Sequence, residues 1–282
     1  MKRFSSCRRL WLATLLIGLF LLVRVADAAT LHEQSLAMLK ERLVLADPHN
    51  FSFVVLGDSR DNDKVFRKVL ALAQSLKPLF ILHGGDMEQS GCKTDIDHFL
   101  SVVHEDAAAM PLFIVPGNHE RCFPDKNVDA GKGYFLRTIG PLNFVLDLSP
   151  LGIKIVVLDN MDYALSAEQL QYLRRELTPG RSWNFVAMHI PPETGRWKKD
   201  HTFTKGAKEM MALLEEKKVA AAFFSHIHLF DEDSLGKTRM FITGGAGAPL
   251  YGNFGFGKAA YHVLLVQVKA GKLSVQPLWL EP

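Results

Sequence analysis

Phe51-Ser52-Phe53-Val54-Val55-Leu56-Gly57-Asp58 is a run of aromatic and β-branched residues that stops in a turn and a carboxylate. Val and Phe suit a pleated, buried surface, so the run reads as a strand. Residues 64–76 then repeat apolar side chains at helical spacing, and residues 79–82 are again strand-like, which makes a βαβ unit. The alternation continues with a helix near 96–109, strands at 112–115 and 153–158, a helix at 166–177 and a strand at 183–188. Ser166-Ala167-Glu168-Gln169 has the form of a capping box and supports that helix start. A helix at 204–218 leads into a strand at 219–224. The last stretch, 240–243, 260–268 and 273–278, reads as strands joined by short turns such as Ala270-Gly271. The expectation is an α/β chain of mixed sheets flanked by helices, one domain over residues 51–282, with residues 29–50 as a peripheral lead-in.

The chain has 282 residues, 48% apolar and 22% charged, enough for one sizeable core. Its formal charge of +3 is weighted by the first 28 residues, which hold Lys2, Arg3, Arg8, Arg9 and Arg24 against Asp27 alone. Without them 28 basic residues face 29 acidic ones, a net charge of −1. That balance gives no electrostatic argument for nucleic acid or an anionic membrane. Residues 1–28 read as a signal peptide: a basic start, the apolar run 10–23, and Ala26-Asp27-Ala28 as a small-x-small site. Cleavage after Ala28 implies an exported protein, periplasmic or extracellular. An uncleaved anchor is the alternative, and would be the chain's one membrane contact. Cys7 leaves with the signal, so Cys92 and Cys122 remain; export permits one disulfide, and two thiols fit the sequence as well.

The chemistry sits where apolar runs end. Val55-Leu56-Gly57-Asp58, Gly85-Asp86, Gly117-Asn118-His119-Glu120, Met188-His189 and Ser225-His226-Ile227-His228 each finish in residue types that hold divalent cations. A single Gly-Asp, or a lone His on an apolar run, is most often structural. The five in this order are another matter. They resemble the calcineurin-like metallophosphoesterases, over about residues 51–262.

The resemblance implies a four-layer αββα sandwich of two mixed sheets, with the site on strand-end loops at one edge. It implies two divalent cations, Mn, Fe, Zn or a mixed pair, acting on a small phosphorylated substrate. Two cations about 3.5–4 Å apart neutralise phosphate charge and lower the pKa of a bridging water. By resemblance Asp86 bridges them, Asp58 and His228 serve the first, and Asn118, His189 and His226 the second. Asn118 also reaches the substrate, and His119 is the general acid at the leaving-group oxygen. Glu120 either orients that imidazole or is an exposed loop acid paired with Arg121.

Three departures from the family pattern bear on function. Asp58-Ser59-Arg60 stands where Asp-x-His is usual, and an arginine cannot ligate. Arg60 then either makes a bidentate contact to substrate phosphate or pairs with Asp61 or Asp63. Met87-Glu88-Gln89-Ser90-Gly91 lacks both the Asp-Arg pair of the family's protein phosphatases and the Tyr ligand of purple acid phosphatases. Ser225 replaces a usual Gly, a change the site is expected to tolerate. Because of Arg60 two functions stay open: hydrolysis of a phosphomonoester or phosphodiester, and a degenerate single-metal member that binds a phosphorylated ligand or partner without turnover.

Two loops concern the substrate. Residues 244–257, rich in Gly with Tyr251, Phe254 and Phe256, lack the Lys-Ser or Lys-Thr of a nucleotide loop and read either as a pocket wall or as a structural turn. Residues 191–201 are long and basic, so Arg196, Lys198, Lys199 and His201 are either contacts for a second phosphate or a solvated loop. His32, His49, His83, His98, His104 and His262 fit no ligand pattern. No Gly-x-Ser-x-Gly elbow occurs, which disfavours a serine hydrolase.

Overall fold

The computed structural model of the chain describes residues 29–122, 128–177, 180–197 and 200–281. Residues 1–28, where a signal peptide is expected, and Lys198 and Lys199 lie outside the described residues. The first sheet contains β1 (Asn50–Leu56), β2 (Ile81–His83), β3 (Leu112–Ile114), β10 (His262–Lys269) and β11 (Lys272–Trp279), in the order β11-β10-β1-β2-β3. The second contains β4 (Phe144–Leu148), β5 (Ile153–Val157), β6 (Trp183–Ala187), β7 (Ala221–Phe224), β8 (Phe230–Leu235) and β9 (Thr238–Thr243), in the order β4-β5-β6-β7-β9-β8. Both are mixed: β1-β2-β3 and β5-β6-β7-β9 run parallel, with antiparallel strands added at the sides.

Strand alternation explains the layers. On β1, Phe53 and Val55 point into a core shared with Ile155, Phe185, Phe223 and Phe241 of the second sheet, while Val54 and Leu56 point the other way. That outer face packs under α2 (Asp63–Ser75), α3 (Lys93–Ala107) and α4 (Val128–Thr138). The outer face of the second sheet packs under α5 (Ala167–Glu176) and α6 (Ala207–Glu216). With both faces buried, the parallel strands read as continuous apolar runs. The result is the expected αββα sandwich. Phe53 lies at the seam, stacked on Phe80 at 4.9 Å and edge-on to Phe185 at 5.5 Å and Phe223 at 6.2 Å.

The sequence reading does not include α4, β4, β8 or a helix in the lead-in. The lead-in at 29–50 contains α1 (Leu31–Val44), opened by a Thr30–Glu33 capping box. It lies along β3: Ser35 Oγ donates to the Leu112 carbonyl (2.8 Å) and accepts from its N–H (2.9 Å), and Leu39 enters the central core. Arg42 reaches the carbonyls of Pro78 and Ala109. β8, Phe-Asp-Glu-Asp-Ser-Leu, has no apolar alternation to mark it, because it is an edge strand whose acids pair with Arg196 and Arg239. The Ser166 capping box forms as expected.

Parallel strands share a direction, so their carboxyl ends share a rim. β1 leads to Asp58, β2 to Asp86, β3 to Asn118, β6 to His189, and β7 to His226 and His228. Phe53→Ala opens the seam between the sheets and is expected to cost about 3–5 kcal/mol of stability. Urea unfolding measures this, and a loss under about 1 kcal/mol would show that the aromatic stack does not hold the sheets together.

Candidate metal centre

Three of the strand-end residues adopt left-handed backbone: Asp58 at φ 59°, Asp86 at φ 53° and His226 at φ 69°. Asp, Asn and His tolerate that region better than other side chains, and such strain persists only where neighbours impose it. Here they do. The Asp58 N–H donates to the Gly85 carbonyl (3.0 Å), the Ser59 N–H to the Asp86 carbonyl (3.1 Å) and the His226 N–H to Asp58 Oδ2 (2.9 Å). Ser225 fits beneath them because Gly57 and Gly84 carry no Cβ; one added there would lie 2.2 Å or 2.0 Å from Ser225 Oγ.

The side chains converge around two points that share Asp86. Asp86, His189 and His226 form one set of donors, and Asp58, Asp86 and His228 the other, with the ligand atoms of each set within 4.8 Å of one another. His189 Nε2 lies 3.2 Å from Asp86 Oδ1 and 3.2 Å from His226 Nδ1, and His228 Nε2 lies 3.6 Å from Asp58 Oδ1. The outer nitrogen of each ring is held: His189 Nδ1–H donates to the Gly84 carbonyl (2.7 Å) and His228 Nδ1–H to the Pro249 carbonyl (2.7 Å), while His226 Nε2 meets Tyr163 Oη at 3.1 Å. Such outer contacts fix the tautomer and turn the free lone pair inward. Asp58 Oδ1 and Asn118 Oδ1 are buried without a hydrogen-bond partner. Orphaned acceptors beside inward imidazoles are what a divalent cation would satisfy, so the residues fit the group.

The electrostatics agree. Asp58, Asp86 and Glu120 are all buried. Burial lifts Asp58 well above the usual carboxylate range, against the charge of His189. Burial acts the same way on Asp86, but the charge and hydrogen bond of His189 outweigh it and hold Asp86 well below that range. Burial disfavours a charged His189, yet Asp86 and Asp58 push it up to about 9. Burial takes His228 down to about 4 and His226 well below its ordinary value.

Glu120 answers neither expectation. It is not a loop acid paired with Arg121, and it does not touch the His119 ring. Its Oε1 accepts from the Met87 N–H (2.9 Å) and its Oε2 from the N–H groups of Asp86 (3.0 Å) and Gly117, so it holds the backbone that presents Asp86. Burial and the charge of Asp86 lift it to about 7. The residue that orients His119 is Gln89, whose carbonyl accepts from Nδ1–H (2.8 Å), leaving Nε2 3.9 Å from Asp86 Oδ2. Gln89 also accepts from Arg60 Nη1 through its side chain. Arg60 pairs with Asp61 (2.6 Å), and its Nε is buried without a partner, 4.0 Å from Asp86 Oδ2. Cys92 and Cys122 form a disulfide that ties the loop after Asp86 to the loop after His119.

The surroundings hold further residues. His83 accepts from the Gly85 N–H (3.1 Å) through Nδ1, so its Nε2–H meets Ser59 Oγ (3.0 Å), which donates to the Met87 carbonyl (2.8 Å). This relay ties the Asp58 loop to the Asp86 loop. Tyr251 stacks on His228 at 4.3 Å, and His201 lies 5.6 Å from His226 and 5.0 Å from Phe254, so the glycine-rich stretch borders the site. Arg196 is not a free cation: it makes a bidentate pair with Asp231 (2.6 and 2.7 Å), which also accepts from Trp197 Nε1 (2.7 Å). That pairing anchors the loop to β8. A third acidic and imidazole group, Asp63, Glu88 and His98, is an ion-pair cluster at the surface.

The calcineurin-like phosphoesterase family model matches residues 42–230. No curated protein matches the sequence. Among solved structures, a purple acid phosphatase from yellow lupin (Lupinus luteus) seeds is similar, with a TM-score of 0.65 and 15% identity over 82% of this chain and 51% of that one. This chain thus spans about half the length of the lupin protein. A dimetal phosphatase from Danio rerio gives a TM-score of 0.57 at 13% identity, over 83% of this chain and 100% of that one. The anchor of the inner membrane complex of Plasmodium gives 0.56 at 12% identity, over 83% and 90%. At these identities the likeness is one of fold.

Two predictions arise from the geometry. Below about pH 9 a cation entering beside His189 displaces its proton, so affinity for Mn is expected to rise about tenfold per pH unit between about pH 6 and about pH 8. Calorimetric titration in buffers of different ionisation enthalpy reads the released proton; a pH-independent affinity contradicts the protonated site. Replacing Cys92 and Cys122 by Ser is expected to cost about 3–4 kcal/mol by urea unfolding, from the chain entropy of the loop they close.

Proposed function

This chain belongs to the calcineurin-like phosphoesterase family, and from that premise we propose that it is an exported phosphoesterase using two divalent cations, Mn, Fe, Zn or a mixed pair. The family and the buried Asp and His groups support metal-dependent phosphoester hydrolysis in general. The proposal adds the substrate class, a small phosphomonoester or phosphodiester, and the roles. Asp58, Asp86 and His228 would hold the first cation, and Asp86, Asn118, His189 and His226 the second. When bound, such a pair supplies charge neutralisation at the phosphoryl oxygens and activates water at neutral pH.

The remaining work falls to the chain's own groups. His119 holds its Nδ1–H on the Gln89 carbonyl, so Nε2 is the end free to pass a proton to the leaving-group oxygen. Arg60 Nε, buried and unpartnered, is a donor for a phosphoryl oxygen. Asn118 Nδ2 can donate to the same group while Oδ1 faces the cation. The observation that carries the reading is the orphaned acceptor Asp58 Oδ1, 3.6 Å from His228 Nε2, in a group with two further imidazoles whose outer nitrogens are likewise held. The leader at residues 1–28 and the Cys92–Cys122 disulfide support export, since disulfides persist in oxidising compartments.

The second reading, a single-metal member that binds a phosphorylated ligand without turnover, is favoured by one feature. Arg60 sets a fixed positive charge 4.0 Å from Asp86 where a first-cation ligand is usual. Metal analysis of protein purified without chelator, with hydrolysis of chromogenic phosphomonoester and phosphodiester substrates, decides between them. Near two metals per chain and metal-dependent turnover are expected; one metal or none, with no turnover under added Mn, selects the binding protein. Asp86→Asn is expected to weaken metal binding at least about 100-fold and abolish turnover, so retained turnover contradicts the shared carboxylate. His119→Ala is expected to keep the metals and lose about 10²–10⁴-fold in kcat, mostly on poor leaving groups.

A further inference from the structure

Each of the three imidazoles at the centre has an outer ring nitrogen that must be held if its inner nitrogen is to face the site. For His189 and His228 the holder is a backbone carbonyl, Gly84 or Pro249. For His226 it is a side chain. Tyr163 Oη lies 3.1 Å from His226 Nε2, with the two rings edge to face at 5.4 Å.

The proton assignment follows from the neighbours. His189 gives its Nδ1–H to Gly84, so its Nε2 is the nitrogen that faces Asp86 Oδ1, at 3.2 Å. His226 Nδ1 lies 3.2 Å from that same His189 Nε2, on the inner side of the ring, and a ring that offers Nδ1 to a cation carries its hydrogen on Nε2. His226 is left with Nε2–H, which donates to Tyr163 Oη. The phenol keeps its own hydrogen, and Tyr163 is 38% exposed.

Tyr163 does not arrive there by chance of rotamer. It occupies left-handed backbone at φ 57°, which an aromatic residue enters only where its surroundings impose it. Its turn closes through the Tyr163 N–H to the Asn160 carbonyl (2.9 Å). The buried Asn160 side chain exchanges two hydrogen bonds with Ile190, the residue after His189 (2.7 and 3.1 Å). From the other side Arg121, which follows Glu120, donates to the Met161 carbonyl (2.8 Å) and pairs with Asp162. On the far side, the Leu165 N–H donates to the Lys205 carbonyl (3.0 Å). The turn is thus clamped between the segments that follow two of the motif residues.

We propose that Tyr163 is a positioning residue of the second cation site: it accepts the Nε2–H of His226 and so fixes that ring with Nδ1 facing inward. This rests on the phosphoesterase reading for its purpose, but the contact itself can be tested without a cation. Protein labelled with ¹⁵N-histidine and stripped of metal reports the tautomer of His226 through long-range proton–nitrogen correlations, for wild type and Tyr163→Phe. The phenylalanine keeps the ring and removes only the oxygen. Wild type is expected to show Nε2–H alone, and Tyr163→Phe a mixture of tautomers. Titrated with Mn, Tyr163→Phe is expected to bind one cation about 10–100-fold more weakly and the other as before, with unchanged far-ultraviolet circular dichroism. A wild-type His226 protonated on Nδ1, or a Tyr163→Phe variant with wild-type tautomer and wild-type affinity, overturns the proposal. A wild type that binds no Mn overturns the phosphoesterase reading and the cation role of Tyr163 with it. The tautomer measured in cation-free protein tells that failure from a failure of the contact.

Discussion

Three buried carboxyl side chains, Asp58, Asp86 and Glu120, lie at one end of this sandwich, and the cost of burying them in a medium of low polarity, raised further at Asp58 and Glu120 by the charge of Asp86, is the constraint on which the arrangement depends. Each is answered differently. Glu120 is surrounded by backbone N–H groups, Asp86 by His189 and the His119 N–H, and Asp58 by the His226 N–H with one oxygen left unmatched. The chain alone satisfies the hydrogen-bonding directions at Glu120, but not those at Asp58. An unmatched carboxylate oxygen beside imidazoles whose outer nitrogens are already held is an arrangement that can take up a cation.

The two sheets divide the task. Asp58, Asp86 and Asn118 come from the ends of β1, β2 and β3, whereas His189, His226 and His228 come from the ends of β6 and β7. Neither sheet contains a complete donor set. The centre therefore exists only when the sheets are docked through the Phe53, Phe80, Phe185 and Phe223 seam, which places a packing interaction upstream of the chemistry. The close fit of Ser225 against Gly57 and Gly84 belongs to the same requirement, since any side chain at either glycine would push the sheets apart at the rim. The disulfide acts more locally, holding together the two loops that carry Asp86 and His119.

Further side chains are arranged around that frame. Arg60 is a fixed cation near Asp86, tied to Asp61 and Gln89 and so restricted in where its remaining donor points. Gln89 joins Arg60 to His119, which makes the segment after Asp86 a bridge between a guanidinium and an imidazole. The wall beside His226 and His228 is aromatic, with Tyr163, His201, Tyr251 and Phe254, and the loop that carries His201 is anchored by Arg196 and Trp197 on Asp231.

The sequence by itself determined the alternation of strands and helices and the order of the motif residues. Those follow from local rules: the period of apolar residues, the capping box at Ser166, and strand ends that turn on Gly-Asp or Gly-Asn. The helix α1, the edge strand β8, and the true partners of Glu120, Arg196 and His119 were not legible, because each depends on a contact far along the chain: Ser35 with Leu112, Asp231 with Arg196, Gln89 with His119. Tyr163 is the plainest case. Nothing in Met-Asp-Tyr-Ala signals a role, and only the docking of its turn against Ile190 and Arg121 brings the phenol to His226. Local sequence fixes which groups a strand end can offer; tertiary packing decides which of them meet, since a hydrogen bond needs its partners within about 3 Å whatever their separation in the chain.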